Sequence, residues 1–207
     1  MPSAGAVQLI DMDAAATPSG QRPSVSISGQ GAPGLASYPA EAPLFDFTHY
    51  GVPVARALTS RAHFDAHFDI TLNNQLGFLD GQFFMLFTIN GQTFPNIPMI
   101  NVLPGQLILL HIANASDDLH PMHLHGHAFT VLSRNGQPLT GSPIILDTLA
   151  VGPHETYEIA FHADNPGLWM LHCHILRHAH QGMDMMVAYP NIVTPFNVGS
   201  ASGNHPE

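Results

Sequence analysis

The chain has 207 residues, of which 45% are hydrophobic and only 10% are charged. Its formal net charge is -10 with five Lys and Arg residues, which excludes nucleic acid and membrane surfaces as expected partners, because both attract clustered basic side chains. The low charge, together with 18 Gly and 18 Pro residues, favours short strands joined by turns over a helical bundle.

The first part of the chain, residues 1–62, shows little hydrophobic periodicity and is rich in Pro, Gly, Ala and Ser. This composition predicts an irregular arm or interdomain linker, with residues 25–28 as one candidate strand. The N-terminal residues lack a basic start and a long apolar stretch, so we expect no secretory signal peptide in them. No apolar run approaches the ~20 residues of a membrane span.

Residues 63–190 show a different pattern, in which short apolar segments are separated by turn signals. An alternation of apolar and polar residues indicates a half-buried strand, and Asn90-Gly91 is a hairpin signal. The predicted strands are 67–72, 83–89, 106–113, 128–132, 144–149, 156–161, 168–174 and 185–189. About eight strands and no long helix predict an all-β domain, a β-sandwich or Greek-key barrel. Residues 191–207 are predicted to form a flexible tail.

Two histidine-rich segments lie within this strand pattern. Residues 120–127 read H-P-M-H-L-H-G-H, and residues 172–183 read H-C-H-I-L-R-H-A-H-Q-G-M and contain the only cysteine, Cys173. Because successive side chains of a strand point to opposite faces, His172 and His174 are predicted to share one face and Cys173 to occupy the other.

The same alternation in the first segment places His123 and His125 on one face and His120 on the opposite face. Two groups are therefore predicted. The first contains Cys173 and His120, and the second contains four imidazoles: His123, His125, His172 and His174.

The first group gains His178 and Met183 from the loop after Cys173. A cysteine, two histidines and a methionine are the donor set of blue copper sites, because thiolate and thioether stabilise Cu(I) and imidazole binds both oxidation states. Four imidazoles without a thiolate suit copper or zinc, and two or more copper ions in such a set would suit dioxygen binding. The histidines on either side of Cys173 give a short covalent path between the two groups.

At these residues the sequence resembles the multicopper oxidases, which include laccases and ascorbate oxidase. The family motifs H-P-x-H-L-H-G-H and H-C-H-x-x-x-H-x-x-x-G-M are matched throughout, and the resemblance covers roughly residues 63–190. It implies a cupredoxin-like Greek-key β-sandwich, corresponding to the family's C-terminal cupredoxin domain, after the irregular N-terminal arm.

The resemblance also implies the copper ligands. It assigns type 1 copper to His120, Cys173, His178 and Met183, a type 2 copper ligand to His123, and type 3 copper ligands to His125, His172 and His174. The catalytic segment His172-Cys173-His174 would carry electrons from the type 1 site to the trinuclear cluster.

The function implied by the resemblance is oxidation of a small reducing substrate, a phenol or a metal ion, coupled to reduction of O2 to water. The family's cluster uses eight histidines, and this chain offers four of them and contains no further H-x-H pair outside the two segments. An N-terminal cupredoxin domain or partner subunit is therefore expected to supply the rest, and the chain alone is expected to be inactive. By family resemblance, a periplasmic or secreted location is expected.

Three alternatives belong to other functional classes. A stand-alone blue-copper electron-transfer protein would leave the four cluster histidines without a role. A copper-storage module would bind Cu(I) weakly at several sites without blue colour. A copper nitrite reductase is disfavoured because its cysteine is not flanked by histidines on both sides.

Three other residues near or between the motifs carry predictions. His127 is predicted to pack beside the site without ligating, and His111 is predicted to be a hydrogen-bonded core residue. Asp147 is interpreted either as a carboxylate that hydrogen-bonds a ligand histidine or as a residue at a strand end.

Overall fold

A computed structural model of the chain describes the backbone of residues 7–10 and 24–27, and the backbone and side chains of residues 46–54, 58–79 and 81–192. The chain divides into two units, Met1–Phe45 and Asp46–Glu207. Most of the predicted arm and of the predicted tail lies outside the described residues.

The first unit contains two short strands, β1 (Val7–Ile10) and β2 (Ser24–Ile27). They pair antiparallel, with Val7 opposite Ile27 and Ile10 opposite Ser24. The sequence pattern indicates the second of these strands and gives no signal for the first.

The described residues of the second unit form twelve strands, a 3-10 turn (Phe47–His49) and one short helix, α1 (Leu176–His180). The strands are β3 (Ala66–Leu79), β4 (Gln82–Ile89), β5 (Ile100–Asn101), β6 (Leu107–Asn114), β7 (His120–Leu124), β8 (Phe129–Arg134), β9 (Gln137–Pro138), β10 (Ile144–Leu146), β11 (Thr148–Val151), β12 (Thr156–His162), β13 (Leu168–Cys173) and β14 (Asp184–Ala188). No described helix is long and apolar enough to cross a membrane.

The strands form two sheets. The larger has the order β10-β8-β12-β6-β3-β4, with β9 paired to β8, and the smaller has the order β11-β7-β13-β14-β5. Most neighbours are antiparallel, whereas β3 pairs parallel with β6 and β14 pairs parallel with β5. Buried apolar side chains from both sheets form one core, so the predicted all-β sandwich is confirmed.

The alternation of side chains along β6 decides which of its residues enter the core. Ile108, Leu110 and Ile112 are at most 1% exposed, and they share one face because they lie at every second position of the strand. His111 has the opposite parity, so the prediction that it is a core residue is wrong. Its side chain is 42% exposed and its Nδ1 lies 3.4 Å from Asp69 Oδ1.

The segment predicted as one strand over residues 144–149 is two strands in different sheets. β10 pairs with β8 in the larger sheet, and β11 pairs with β7 in the smaller sheet. The chain changes sheets at Asp147, which places Thr148 directly opposite His123. Asp147 lies between the two strands, so its interpretation as a residue at a strand end is confirmed.

The core position of Ile112 gives a stability prediction. Ile112 is 0% exposed in the larger sheet, so Ile112→Ala is expected to lower the free energy of unfolding by about 2–5 kcal/mol, through lost burial and the cavity left behind. The measurement is chemical denaturation followed by circular dichroism.

A matched control is Ile145→Ala, since Ile145 lies on edge strand β10 and is 64% exposed. This substitution is expected to change the free energy of unfolding by no more than about 0.5 kcal/mol. Equal losses in the two variants would contradict the described placement of β6.

Candidate metal centres

The two histidine-rich segments become neighbours because β7 and β13 pair antiparallel in the smaller sheet. Their register places Met122 opposite Cys173 and His123 opposite His172. Directly opposite residues share a face, so Cys173 points into the core with Met122, and the two histidines point outward. His120 has the parity of Met122 and also points inward. The structure thus forms two clusters, one on each face of the same strand pair.

The inner cluster consists of His120, Cys173 and His178. The two Nδ1 atoms lie 3.2 Å apart, and Cys173 Sγ lies 3.9 Å from His120 Nδ1 and 3.7 Å from His178 Nδ1. All three side chains are buried, with exposed fractions of 0–4%. Three donor atoms therefore converge on one point that is closed to solvent.

The loop after Cys173 folds back over the inner cluster. Met183 is fully buried, its N–H donates to His178 O at 3.0 Å, and its carbonyl accepts from Cys173 N–H at 3.1 Å. Gly182 permits this turn with φ of +119°, and a Cβ at that position would collide with the side chain of Thr93. The backbone thus carries Met183 back beside Cys173.

Phe87 forms a wall of the inner cluster from the opposite sheet. Its ring stacks on His178 with centroids 3.8 Å apart and planes 14° apart. The Arg177 guanidinium lies 5.7 Å from the centre of the same ring. No sequence pattern connects Phe87 with the site, because only the packing of the two sheets brings β4 to this loop.

Burial sets the protonation of the inner cluster. It lowers the pKa of His120 to about 4, with a smaller contribution from neighbouring His178, and it also lowers the pKa of His178. Burial raises the pKa of Cys173 to about 11. The metal-free cluster is therefore neutral near pH 7, and a metal ion that binds the thiolate there must displace the thiol proton.

The outer cluster consists of His123, His125, His172 and His174. The Nε2 atoms of His125 and His172 lie 2.9 Å apart, and the ring centroids of His123 and His174 lie 5.0 Å apart. His174 is exposed, and His172 is buried. Burial lowers the pKa of His172 to about 4. Four imidazoles thus lie side by side on a sheet face that is partly open.

Hydrogen bonds fix which nitrogen two outer histidines present. His172 Nδ1 donates to Cys173 O at 3.0 Å, since a carbonyl oxygen can only accept. His123 Nδ1 likewise donates to Asp147 O at 3.0 Å and lies 2.8 Å from Thr148 Oγ1. Both residues keep the Nε2 lone pair for a metal ion.

Asp147 supports His123 through its backbone oxygen, and not through its carboxylate as one of the two interpretations holds. Its Oδ1 lies 3.8 Å from His123 Nδ1, too far for a hydrogen bond, and accepts from Thr148 Oγ1 at 2.8 Å. Thr148 is therefore a supporting residue that the sequence interpretation missed, because its role depends on the change of sheet at Asp147.

His127 packs beside the outer cluster. Its Nδ1 donates to His125 O at 3.1 Å, and its Nε2 lies 2.6 Å from Tyr189 Oη. With one ring nitrogen bonded to a carbonyl and the other to a phenol, His127 holds the backbone of His125.

β14 begins with Asp184, which lies directly opposite His172 and is 1% exposed. Neither of its carboxylate oxygens has a hydrogen-bond partner in the described part of the chain. Burial raises the pKa of Asp184 to about 7. The neutral acid is thus the form that this environment favours.

The donor chemistry of the inner cluster fits copper. One thiol sulfur and two imidazole nitrogens converge in a buried, neutral site, and these are the donors that copper uses in blue sites. The outer cluster offers imidazoles alone, which also suit copper.

Comparison with known proteins agrees with this chemistry. The family model described as "Multicopper oxidase" matches residues 64–192. The chain is 35% identical over 102 residues to the multicopper oxidase MmcO of Mycobacterium tuberculosis, an alignment that covers 49% of this chain and 19% of the relative. It is 34% identical over 99 residues to the L-ascorbate oxidase of Cucurbita maxima, an alignment that covers 41% of this chain and 17% of the relative. The chain thus spans about a fifth of the length of these relatives.

Solved structures show the same likeness. The blue copper oxidase of Nitrosomonas europaea superposes with a TM-score of 0.51 at 30% identity, over 60% of this chain and 46% of that one. The multicopper oxidase mgLAC superposes with a TM-score of 0.53 at 26% identity, over 61% of this chain and 45% of that one. Because the family model covers more than half of the chain and includes both histidine clusters, the chain belongs to the multicopper oxidase family, whose metal is copper.

Proposed function

We propose that residues 63–190 form the C-terminal cupredoxin domain of a laccase-like oxidase. In this proposal His120, Cys173, His178 and Met183 hold type 1 copper, His123 is a type 2 copper ligand, and His125, His172 and His174 are type 3 copper ligands. The observation that carries the proposal is the position of Cys173, whose thiol lies in the inner cluster while its two sequence neighbours lie in the outer cluster.

The two clusters would divide the chemistry of the oxidase. When bound, copper supplies one-electron redox chemistry at the inner cluster and reduction of O2 to water at the outer cluster. The burial of His120 and Cys173 excludes a substrate from direct contact with the inner donor atoms. A phenol or a reducing metal ion would therefore give up its electron from the surface outside the inner cluster.

The connection between the clusters is built into β13. The thiol of Cys173 joins the imidazoles of His172 and His174 through the backbone and side-chain bonds of adjacent residues. The hydrogen bond from His172 Nδ1 to Cys173 O, 3.0 Å long, adds a second, shorter link on one side. Both paths run through bonds of the protein itself, so an electron would cross the sheet without a diffusing carrier.

The outer cluster supports the proposal of a partner. Its four imidazoles lie on one face of the smaller sheet, and His174 on that face is exposed. The chain spans about a fifth of the length of its relatives. We therefore propose that an N-terminal cupredoxin domain, on the same polypeptide or on a partner subunit, places the remaining histidines against this face.

Replacement of the thiol tests the inner cluster. Cys173→Ser in the copper-loaded complete oxidase is expected to abolish the visible thiolate-to-copper absorption and all oxidase turnover, because a hydroxyl cannot replace the soft thiolate. Absorption spectroscopy measures the first effect and oxygen uptake measures the second. A blue colour that persists in the variant would contradict the ligand assignment.

Replacement of an outer histidine tests the division between the clusters. In the complete oxidase, with its remaining domains present, His125→Ala is expected to keep the thiolate-to-copper absorption and to lose oxygen uptake. An oxygen electrode and the visible spectrum, recorded on the same sample, measure these effects.

His162→Ala is the matched control for that experiment, since His162 is an exposed residue at the end of β12, and it is expected to keep both properties. Unchanged oxygen uptake in His125→Ala would contradict the proposed cluster. A blue wild-type protein that takes up no oxygen would instead support the alternative of an electron-transfer protein.

A further inference from the structure

A chain of buried hydrogen bonds approaches His120 from the side opposite Cys173. His120 Nε2 lies 2.8 Å from Ser116 Oγ, and Ser116 Oγ lies 2.8 Å from Asn114 Oδ1. All three side chains are buried, with exposed fractions of 0–3%. No part of the proposed function uses Ser116 or Asn114.

The orientation of the Asn114 side chain is fixed by its partners. Its Nδ2 donates to three backbone carbonyls, those of Asp118, Val151 and Gly152, at 2.7–3.1 Å. Its Oδ1 accepts from the backbone N–H of Ser116 at 2.9 Å. An exchange of the amide nitrogen and oxygen would set donors against donors and acceptors against acceptors, so Oδ1 must be the atom that faces Ser116.

The direction of each proton then follows. Ser116 has one hydroxyl proton, and two oxygens that can only accept lie near it, Asn114 Oδ1 at 2.8 Å and Asp118 O at 3.4 Å. The shorter contact shows that the proton is donated mainly to Asn114 Oδ1. Ser116 Oγ is left with lone pairs, and it accepts from the N–H of Asp118 at 3.2 Å. His120 Nε2 must therefore carry a proton and donate it to Ser116 Oγ, which leaves the lone pair of His120 on Nδ1.

Nδ1 is the nitrogen of His120 that faces the inner cluster, at 3.9 Å from Cys173 Sγ and 3.2 Å from His178 Nδ1. We propose that Ser116 and Asn114 are positioning residues of the inner cluster, which hold His120 in the Nε2–H tautomer and fix its ring so that the Nδ1 lone pair is directed at the copper position. Neither residue touches the metal position, and both act through His120.

This inference rests on the proposed function only for the role of His120 as a copper ligand. The tautomer itself is a property of the metal-free chain and is tested separately. The ring is further held because His120 lies directly opposite Val151 in the β7–β11 pair, and the carbonyl of Val151 accepts from Asn114. Asn114 thus ties the loop that carries Ser116 to the strand beside His120.

The first experiment measures the tautomer. Long-range proton–nitrogen correlation spectra of the metal-free 207-residue chain at neutral pH are expected to show His120 with its proton on Nε2. In Ser116→Ala the acceptor is lost, so a mixture of tautomers is expected, whereas Ser116→Thr keeps the hydroxyl and is expected to retain the wild-type pattern. A wild-type His120 that carries its proton on Nδ1 would overturn the inference.

The second experiment measures copper binding. Ser116→Ala is expected to lower the affinity for Cu(II) by about 10–100-fold, the usual effect of losing a group that orients a metal-ligating histidine. The thiolate-to-copper band is expected to persist with a shifted wavelength, because the donor set is unchanged. Titration of the metal-free chain with Cu(II), followed by that band, measures the affinity.

Ser133→Ala is the matched control, since Ser133 is also a buried serine, 4% exposed, whose hydroxyl donates to Glu158 at 2.7 Å on the larger sheet. Its copper affinity is expected to equal that of the wild type. Equal affinities in Ser116→Ala and Ser133→Ala would overturn the inference.

Two further outcomes have a defined meaning. If Ser116→Ala does not fold, the tautomers of the wild type and of Ser116→Thr decide the inference. If the wild-type chain shows no thiolate-to-copper band, the proposed function fails, and the tautomer of the metal-free chain still decides whether Ser116 holds His120.

Discussion

The pairing register of β7 and β13 is the constraint on which the candidate sites depend. It places Met122 opposite Cys173 and His123 opposite His172, so the thiol enters the core and the imidazoles face outward. A slip of one residue on either strand would move that strand's side chains to the opposite face. Cys173 would then leave the buried cluster, or the paired histidines would no longer meet. One strand pair therefore defines two candidate metal sites and the bonds that connect them.

The residues around each cluster fix the protonation and the orientation of its side chains. At the inner cluster, Phe87 and the returning loop at Met183 exclude water, and burial keeps the imidazoles and the thiol neutral without metal. At the outer cluster, backbone carbonyls fix the nitrogen that His123 and His172 present. The protein thus fixes the orientation of these side chains in the metal-free chain, and loss of supporting contacts of this kind commonly lowers metal affinity by about 10–100-fold.

Much of this arrangement could be predicted from the sequence, because it depends on local rules. The alternation of a strand separates Cys173 from His172 and His174, and the turn signals predict the all-β sandwich. The contributions of Phe87, Thr148 and Ser116 could not be predicted in this way. Each depends on contacts between segments distant in sequence or on a loop that carries no periodic pattern.

The two sequence predictions that differ from the structure also have local causes. His111 is polar in an apolar strand, and the alternation of side chains places it on the face of β6 opposite to Leu110 and Ile112, where its side chain is 42% exposed. The predicted strand 144–149 runs through the break at Asp147 because the segments on both sides are apolar, although the polar pair Asp147-Thr148 marks the break.

The one-sided distribution of the four outer imidazoles has a consequence for how the proposed enzyme would be put together. A half-set of ligands on each of two surfaces binds metal weakly, whereas the joined surfaces bind it strongly, so cluster filling and docking of the domains are thermodynamically linked. Copper bound in this position would hold the two domains together. A low copper supply, or removal of copper by a chelator, would weaken the contact between the domains or subunits as well as stop turnover.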